Sequence, residues 1–127
     1  MAHSALHFSI GLAAGMVVLA PAVLSALRSG RGVSRATRRW VAGSWSLGFF
    51  AIVPSLLHLA GAPPGVCAGW WMNVFFLHPL VNDLSKGGDL VGAAAIGACF
   101  VVQYAAVVAA IARVSRQSPV SPSGLFL

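Results

Sequence analysis

Three long stretches of this chain contain no formal charge. They cover residues 5–27, 40–61 and 90–112. A helix rises about 1.5 Å per residue, so each stretch is long enough to cross a hydrocarbon core about 30 Å thick. The pattern therefore predicts an all-α integral membrane protein with three transmembrane helices over these ranges.

The composition agrees with a lipid environment. Of the 127 residues, 58% are hydrophobic and 8% are charged, whereas soluble globular domains carry about 25% charged residues. This balance excludes an ordinary cytosolic enzyme, a disordered chain and a coiled coil. The length indicates one membrane domain, residues 1–116, followed by a Ser/Pro-rich tail, residues 117–127.

An aromatic segment, residues 69–84, lies between the second and third spans. As a helix it would be only about 24 Å long, and it contains several polar side chains. We expect a short helix that lies at the membrane interface or re-enters the membrane. A fourth crossing, and hence a four-span bundle, is the alternative.

Glycine and proline predict where the helices break. Gly30 and Gly32 predict a loop over residues 28–39, and the Pro-Pro-Gly sequence predicts a tight loop over residues 62–69. Pro21 lies inside the first span and predicts a kink there.

Most basic residues fall on one side of the predicted three-span bundle. The seven on that side are Arg28, Arg31, Arg35, Arg38, Arg39, Arg113 and Arg116. The positive-inside rule makes this side cytoplasmic and the N-terminus external or periplasmic. We therefore expect a multi-pass protein of a bacterial cell inner membrane. The rule also explains the net charge of +6 without a nucleic-acid partner, because the chain lacks a basic surface with interleaved aromatic residues.

Small residues and tryptophans predict how the helices meet each other and the membrane surface. Small residues spaced by four let helix backbones approach closely in lipid. The candidate packing positions are Gly11, Gly15, Gly88, Gly92 and Gly97. The candidate membrane-interface anchors are Trp40, Trp70 and Trp71.

The histidines suggest a metal site near the external face. His3 and His7 are four residues apart, so a helix places both on one face. His78 and Asp83 can add a third and a fourth ligand from the aromatic segment, and this ligand set suits zinc, iron or copper. The alternative is that His3 and His7 are polar interfacial residues at the end of a span.

Other polar residues allow a second set of interpretations. His58 and His78 can act as axial haem ligands if they lie at the same membrane depth, whereas His58 can also be a packing residue. Gln103 and Tyr104 lie in the middle of the last span, where interhelical hydrogen bonds are expected.

The sequence contains no nucleophile elbow, phosphate-binding loop or paired carboxylates, and it has only two acidic residues. We therefore expect a small non-catalytic accessory or assembly subunit of a larger membrane complex. Its partners would be the lipid bilayer and other membrane protein subunits, with no cofactor. The alternative is a membrane-embedded metal- or haem-binding enzyme or redox protein.

Overall fold

The computed structural model describes residues 4–67, 69, 72, 74–75 and 88–117. Within these residues the chain is helical and contains no strand. The helices are α1 (Ser4–Ser29), α2 (Val33–Ala51), α3 (Val53–Leu59), α4 (Pro64–Cys67) and α5 (Gly88–Gln117). Most of the aromatic segment and the tail beyond Gln117 lie outside the described residues.

Two helices, α1 and α5, are each long and apolar enough to cross a membrane. The pair α2 and α3 passes the same test when it is taken as one span that bends by 44°. The described chain is thus an all-helical protein with two or up to three candidate membrane spans.

The connection between α1 and α2 is much shorter than the sequence predicts. Only residues 30–32 lie outside helix, and both glycines adopt the left-handed conformation, with φ 72° at Gly30 and φ 64° at Gly32. The prediction of a loop over residues 28–39 is therefore wrong in its extent. Arginine is a good helix former, so the basic residues from Arg35 to Arg39 extend α2 instead of interrupting it.

The prolines act differently at three places. Pro54 lies in the first turn of α3, directly after the bend that follows α2. Proline is tolerated there because the N–H that it lacks would have no partner within the helix. Pro64 begins the single helical turn α4, which replaces part of the predicted loop over residues 62–69. Pro21 lies inside α1, which continues through it without a break.

Close contacts at three glycines show which helices are neighbours and in which direction they run. Gly11 lies against Leu47 and Gly15 against Ser44, so α1 and α2 are antiparallel. Gly92 of α5 lies against Leu6 near the start of α1.

At the other end of the bundle, Ala110 of α5 packs with Ala26 and Val33. Residues early in α5 therefore meet residues early in α1, and late residues meet late ones, so α1 and α5 are parallel. As a result, α2 ends and α5 begins at the end of the bundle where α1 begins.

Substitution of Gly92 by alanine is expected to destabilise the fold, and substitution of Gly97 is not. A Cβ at Gly92 would come within 2.5 Å of the carbonyl carbon of Ala5, whereas a Cβ at Gly97 would meet nothing within 4 Å. We expect Gly92→Ala to lower the unfolding free energy by about 1–3 kcal/mol through overpacking.

Gly97→Ala serves as the matched control, because it should stabilise α5 by about 0.5–1 kcal/mol through helix propensity alone. Unfolding in mild detergent, followed by circular dichroism, measures both. Equal effects of the two substitutions would contradict the α1–α5 contact.

Candidate functional site

An aromatic cluster joins the three long helices. Phe8 of α1 packs edge-on against Trp45 and Phe49 of α2, with ring centroids 5.5 Å and 5.3 Å apart. Trp45 also packs edge-on against Phe100 of α5 at 5.2 Å. Such aromatic pairs contribute about 0.5–1.5 kcal/mol each beyond the area that they bury. Trp45 is therefore the side chain through which α2 contacts both neighbouring helices.

A hydrogen bond between side chains adds to this cluster. The indole N–H of Trp45 donates to Oε1 of Gln103 at 3.0 Å, and Gln103 is 5% exposed. The prediction of an interhelical hydrogen bond by Gln103 is confirmed. Tyr104, the next residue, is 73% exposed and lies on the outer side of α5. Its side chain therefore does not form the predicted interhelical hydrogen bond with the described part of α1 or α2.

Trp40 packs between helices. It is 6% exposed, and its indole N–H donates to the carbonyl oxygen of Met16 in α1 at 2.8 Å. Its role as an anchor at the membrane interface stays a prediction. The other two candidate anchors, Trp70 and Trp71, lie outside the described residues.

Two of the candidate metal and haem ligands, His7 and His58, belong to the described residues. His7 is 0% exposed, and it lies four residues before Gly11 on the face of α1 that meets α2. His7 is thus buried between helices, near the start of α1. His58 lies exposed on α3, which differs from its interpretation as a packing residue.

The remaining candidate ligands, His3, His78 and Asp83, fall outside the described residues. Among the residues that the structure does describe, no three His, Cys, Asp or Glu side chains are grouped as metal ligands. The metal and haem sites therefore stay predictions.

The candidate packing glycines divide into two sets. Gly11 and Gly15 face α2, Gly92 faces α1, and Gly88 is buried at the start of α5. Gly97 is exposed. It lies five residues after Gly92, which is about 140° around the helix, so the two glycines cannot share one face.

Gly97 belongs to an exposed apolar stripe on α5, which we call the outer stripe. Its members recur at helical spacings of three and four residues, and all of them are exposed: Leu90, Ala94, Gly97, Val101, Tyr104 and Val108. The spacing averages 3.6 residues, the period of an α-helix, so these residues share one face. The face is apolar and includes the small residues Ala94 and Gly97, and no described helix covers it.

The two ends of the bundle differ in charge. The end of α1, the beginning of α2 and the end of α5 bring seven arginines to one end of the molecule: Arg28, Arg31, Arg35, Arg38, Arg39, Arg113 and Arg116. Asp89 is the acidic residue of the described chain, and it lies at the opposite end. The molecule is thus strongly polarised along its long axis.

Comparison of the chain with protein-family models, with curated proteins and with solved structures gave no match. The functional argument therefore rests on the residues themselves.

Removal of the Trp45–Gln103 hydrogen bond is expected to loosen α5. Interhelical hydrogen bonds between side chains in membranes contribute about 0.6 kcal/mol on average and at most about 1.7 kcal/mol. We expect the coupling free energy between Gln103→Leu and Trp45→Phe to have about this size, because each substitution alone also changes contacts other than the hydrogen bond.

A double-mutant cycle of unfolding in detergent, with tryptophan fluorescence as the signal, measures this coupling. Tyr104→Phe is the control, because the hydroxyl group that it removes is exposed. Additive effects of the two substitutions would show that the hydrogen bond contributes nothing to stability.

Proposed function

We propose that this chain is a small non-catalytic accessory or assembly subunit of a larger complex in a bacterial inner membrane. The observation that carries the proposal is the outer stripe of α5, an exposed apolar face with small residues at Ala94 and Gly97 that no described helix covers. In the most apolar 18-residue stretch of α5 only 11% of the residues are buried, compared with 33% in the corresponding stretch of α1. The small number of acidic groups, two in the whole chain, supports a role without acid–base chemistry.

Tyr104 favours a protein over lipid as the neighbour of the outer stripe. It lies 16 residues after Gly88 in a helix of 30 residues, and hence near the middle of α5. An exposed hydroxyl group at that depth faces hydrocarbon, where an unmet hydrogen bond is costly. A partner helix with a carbonyl or side-chain acceptor at the same depth removes this cost.

Gly97 supports the same conclusion on steric grounds. Apart from the adjoining backbone of α5, no atom of the described residues lies within 4 Å of the position that a Cβ would occupy, and Ala94 is exposed nearby. Helix association in lipid depends on van der Waals contact, which small residues increase because the two backbones can approach more closely. A partner helix that crosses α5 at Gly97 therefore gains contacts that lipid chains make less well.

The proposed topology has three crossings, with the N-terminus outside and the seven arginines in the cytoplasm. Two observations support it: α1 and α5 run parallel, and the arginines gather at one end of the bundle, where the positive-inside rule applies. A fourth crossing by the aromatic segment would instead require α5 to run antiparallel to α1. In the proposed topology the aromatic segment, residues 69–84, stays at the external interface or re-enters from it.

A metal- or haem-binding protein is the second candidate. The observation that favours it is the complete burial of His7, since ionisable residues at membrane depth often mark functional sites. Metal analysis and an absorption spectrum of the purified protein test this candidate. Stoichiometric metal or a haem band that disappears in His7→Ala would support it, and the absence of both would exclude it.

Purification from native membranes in mild detergent tests the main proposal. We expect one larger membrane protein to comigrate in fixed proportion and to be identified by mass spectrometry. Gly97→Leu should reduce its recovery about tenfold, because the added side chain overpacks the contact. Tyr104→Phe should reduce it by a smaller factor.

Ala13→Leu is the matched control, because Ala13 is exposed on α1 and lies away from the outer stripe. It should leave recovery of the partner unchanged. A wild-type chain that migrates alone as a monodisperse monomer would contradict the proposal, and so would equal recovery of the partner by all variants.

Single-cysteine labelling tests the topology. In a variant without the native cysteines, Arg31→Cys should react with a membrane-impermeant maleimide only from the cytoplasmic side. Ser4→Cys, at the start of α1, should react only from the external side. Labelling of both positions from one side would contradict the crossing of α1.

A further inference from the structure

A long groove lies between α2 and α5. Its volume is about 750 Å³. The walls are largely apolar and are formed by Val41, Ala42 and Trp45 of α2 and by Val107, Ile111 and Val114 of α5. The outer stripe, centred on Gly97, lies further toward the start of α5, and its helical spacing continues to Ile111 at the edge of the groove. The α2 residues that form the other wall of the groove do not belong to the outer stripe.

The groove runs from the arginine-rich end of the bundle toward its apolar middle. It extends along α2 from Ser34 to Trp45, which is about 16 Å at 1.5 Å per residue. Its first part lies beside exposed arginines of α2, and its last part is lined by Val41, Ala42 and Trp45. A lipid with its head group at the arginines can therefore place its acyl chains along the apolar part.

The groove has room for acyl chains. An extended hydrocarbon chain, with contacting carbon atoms about 4 Å apart, occupies roughly 300 Å³ over the same length, so two chains fit in the groove. The exposed cation Arg38 at its rim favours an anionic lipid as the occupant over an apolar helix.

Polar groups stand where the head of such a lipid would lie. Arg38 is exposed at the rim, and Ser34 and Ser115 line the same end of the groove. Thr37 also lines the groove and is 5% exposed. Its buried hydroxyl oxygen has no hydrogen-bond partner among the described residues, although a buried hydroxyl group is costly without one.

We infer that this groove binds one anionic phospholipid from the leaflet at the arginine-rich end. The acyl chains lie along Val41, Ala42 and Trp45. The guanidinium group of Arg38 reaches outward to the phosphate, as long basic side chains do at membrane surfaces.

Native mass spectrometry of the full chain in detergent tests this inference. The probes are phosphatidylglycerol, which is anionic, and phosphatidylcholine, which has the same acyl chains and no net charge. We expect one phosphatidylglycerol molecule per chain, bound about tenfold more tightly than phosphatidylcholine. Arg38→Gln should remove this preference, whereas Arg38→Lys should keep most of it.

Two matched controls separate the groove from general attraction to a basic surface. Arg116→Gln removes one exposed charge at the same end, but Arg116 does not line the groove. It should leave the lipid preference unchanged. Ala42→Phe should block the groove and prevent binding of both lipids, whereas Ala13→Phe, at an exposed position on α1, should not.

Equal binding of the two lipids by the wild type would overturn the inference. Unchanged lipid binding by Ala42→Phe would also overturn it. So would an equal loss of lipid preference in Arg38→Gln and Arg116→Gln. Finally, the inference would be overturned if a protein, and not a lipid, copurified with the chain and was lost in Ala42→Phe.

Discussion

The contact between α1 and α2 through glycine is the constraint on which the rest of the structure depends. A Cβ at Gly15 would lie 2.6 Å from the Ser44 Cα, so the two backbones nearly touch there. When helices associate in lipid, apolar side chains gain little free energy, because the lipid chains they leave are equally apolar. Van der Waals contact between close backbones supplies the attraction instead. The three-residue turn at residues 30–32 joins the two helices at the end where α2 begins.

This close pair determines where the large side chains can go. Trp40 and Trp45 lie on α2 where the helices leave room. Trp40 donates its hydrogen bond to α1 and Trp45 donates to α5. In each tryptophan the indole N–H thus has a hydrogen-bond acceptor, and the ring fills space between helices. The third helix is held less extensively, by Gln103, Phe100 and the approach of Gly92, and most of its surface remains for other neighbours.

Much of this arrangement follows from the sequence, because the period of a helix is regular. The uncharged stretches predict the long helices, and the spacing of Gly11 and Gly15 predicts a close approach. The burial of His7 follows from the same spacing, since His7 lies one turn before Gly11. The separation of Gly92 from Gly97 by five residues likewise indicates that one of them faces outward, although it does not say which.

Other features depend on tertiary contacts that local sequence does not encode. Trp40 beside a run of arginines resembles an interface anchor, and only the packing of α1 against α2 shows that its ring points inward. The sequence predicts too long a turn because a basic segment between glycines has the composition of a loop, whereas arginine is compatible with a helix whose side chains reach water. The aromatic segment has no regular apolar period, so its path is the part that sequence reasoning predicts least.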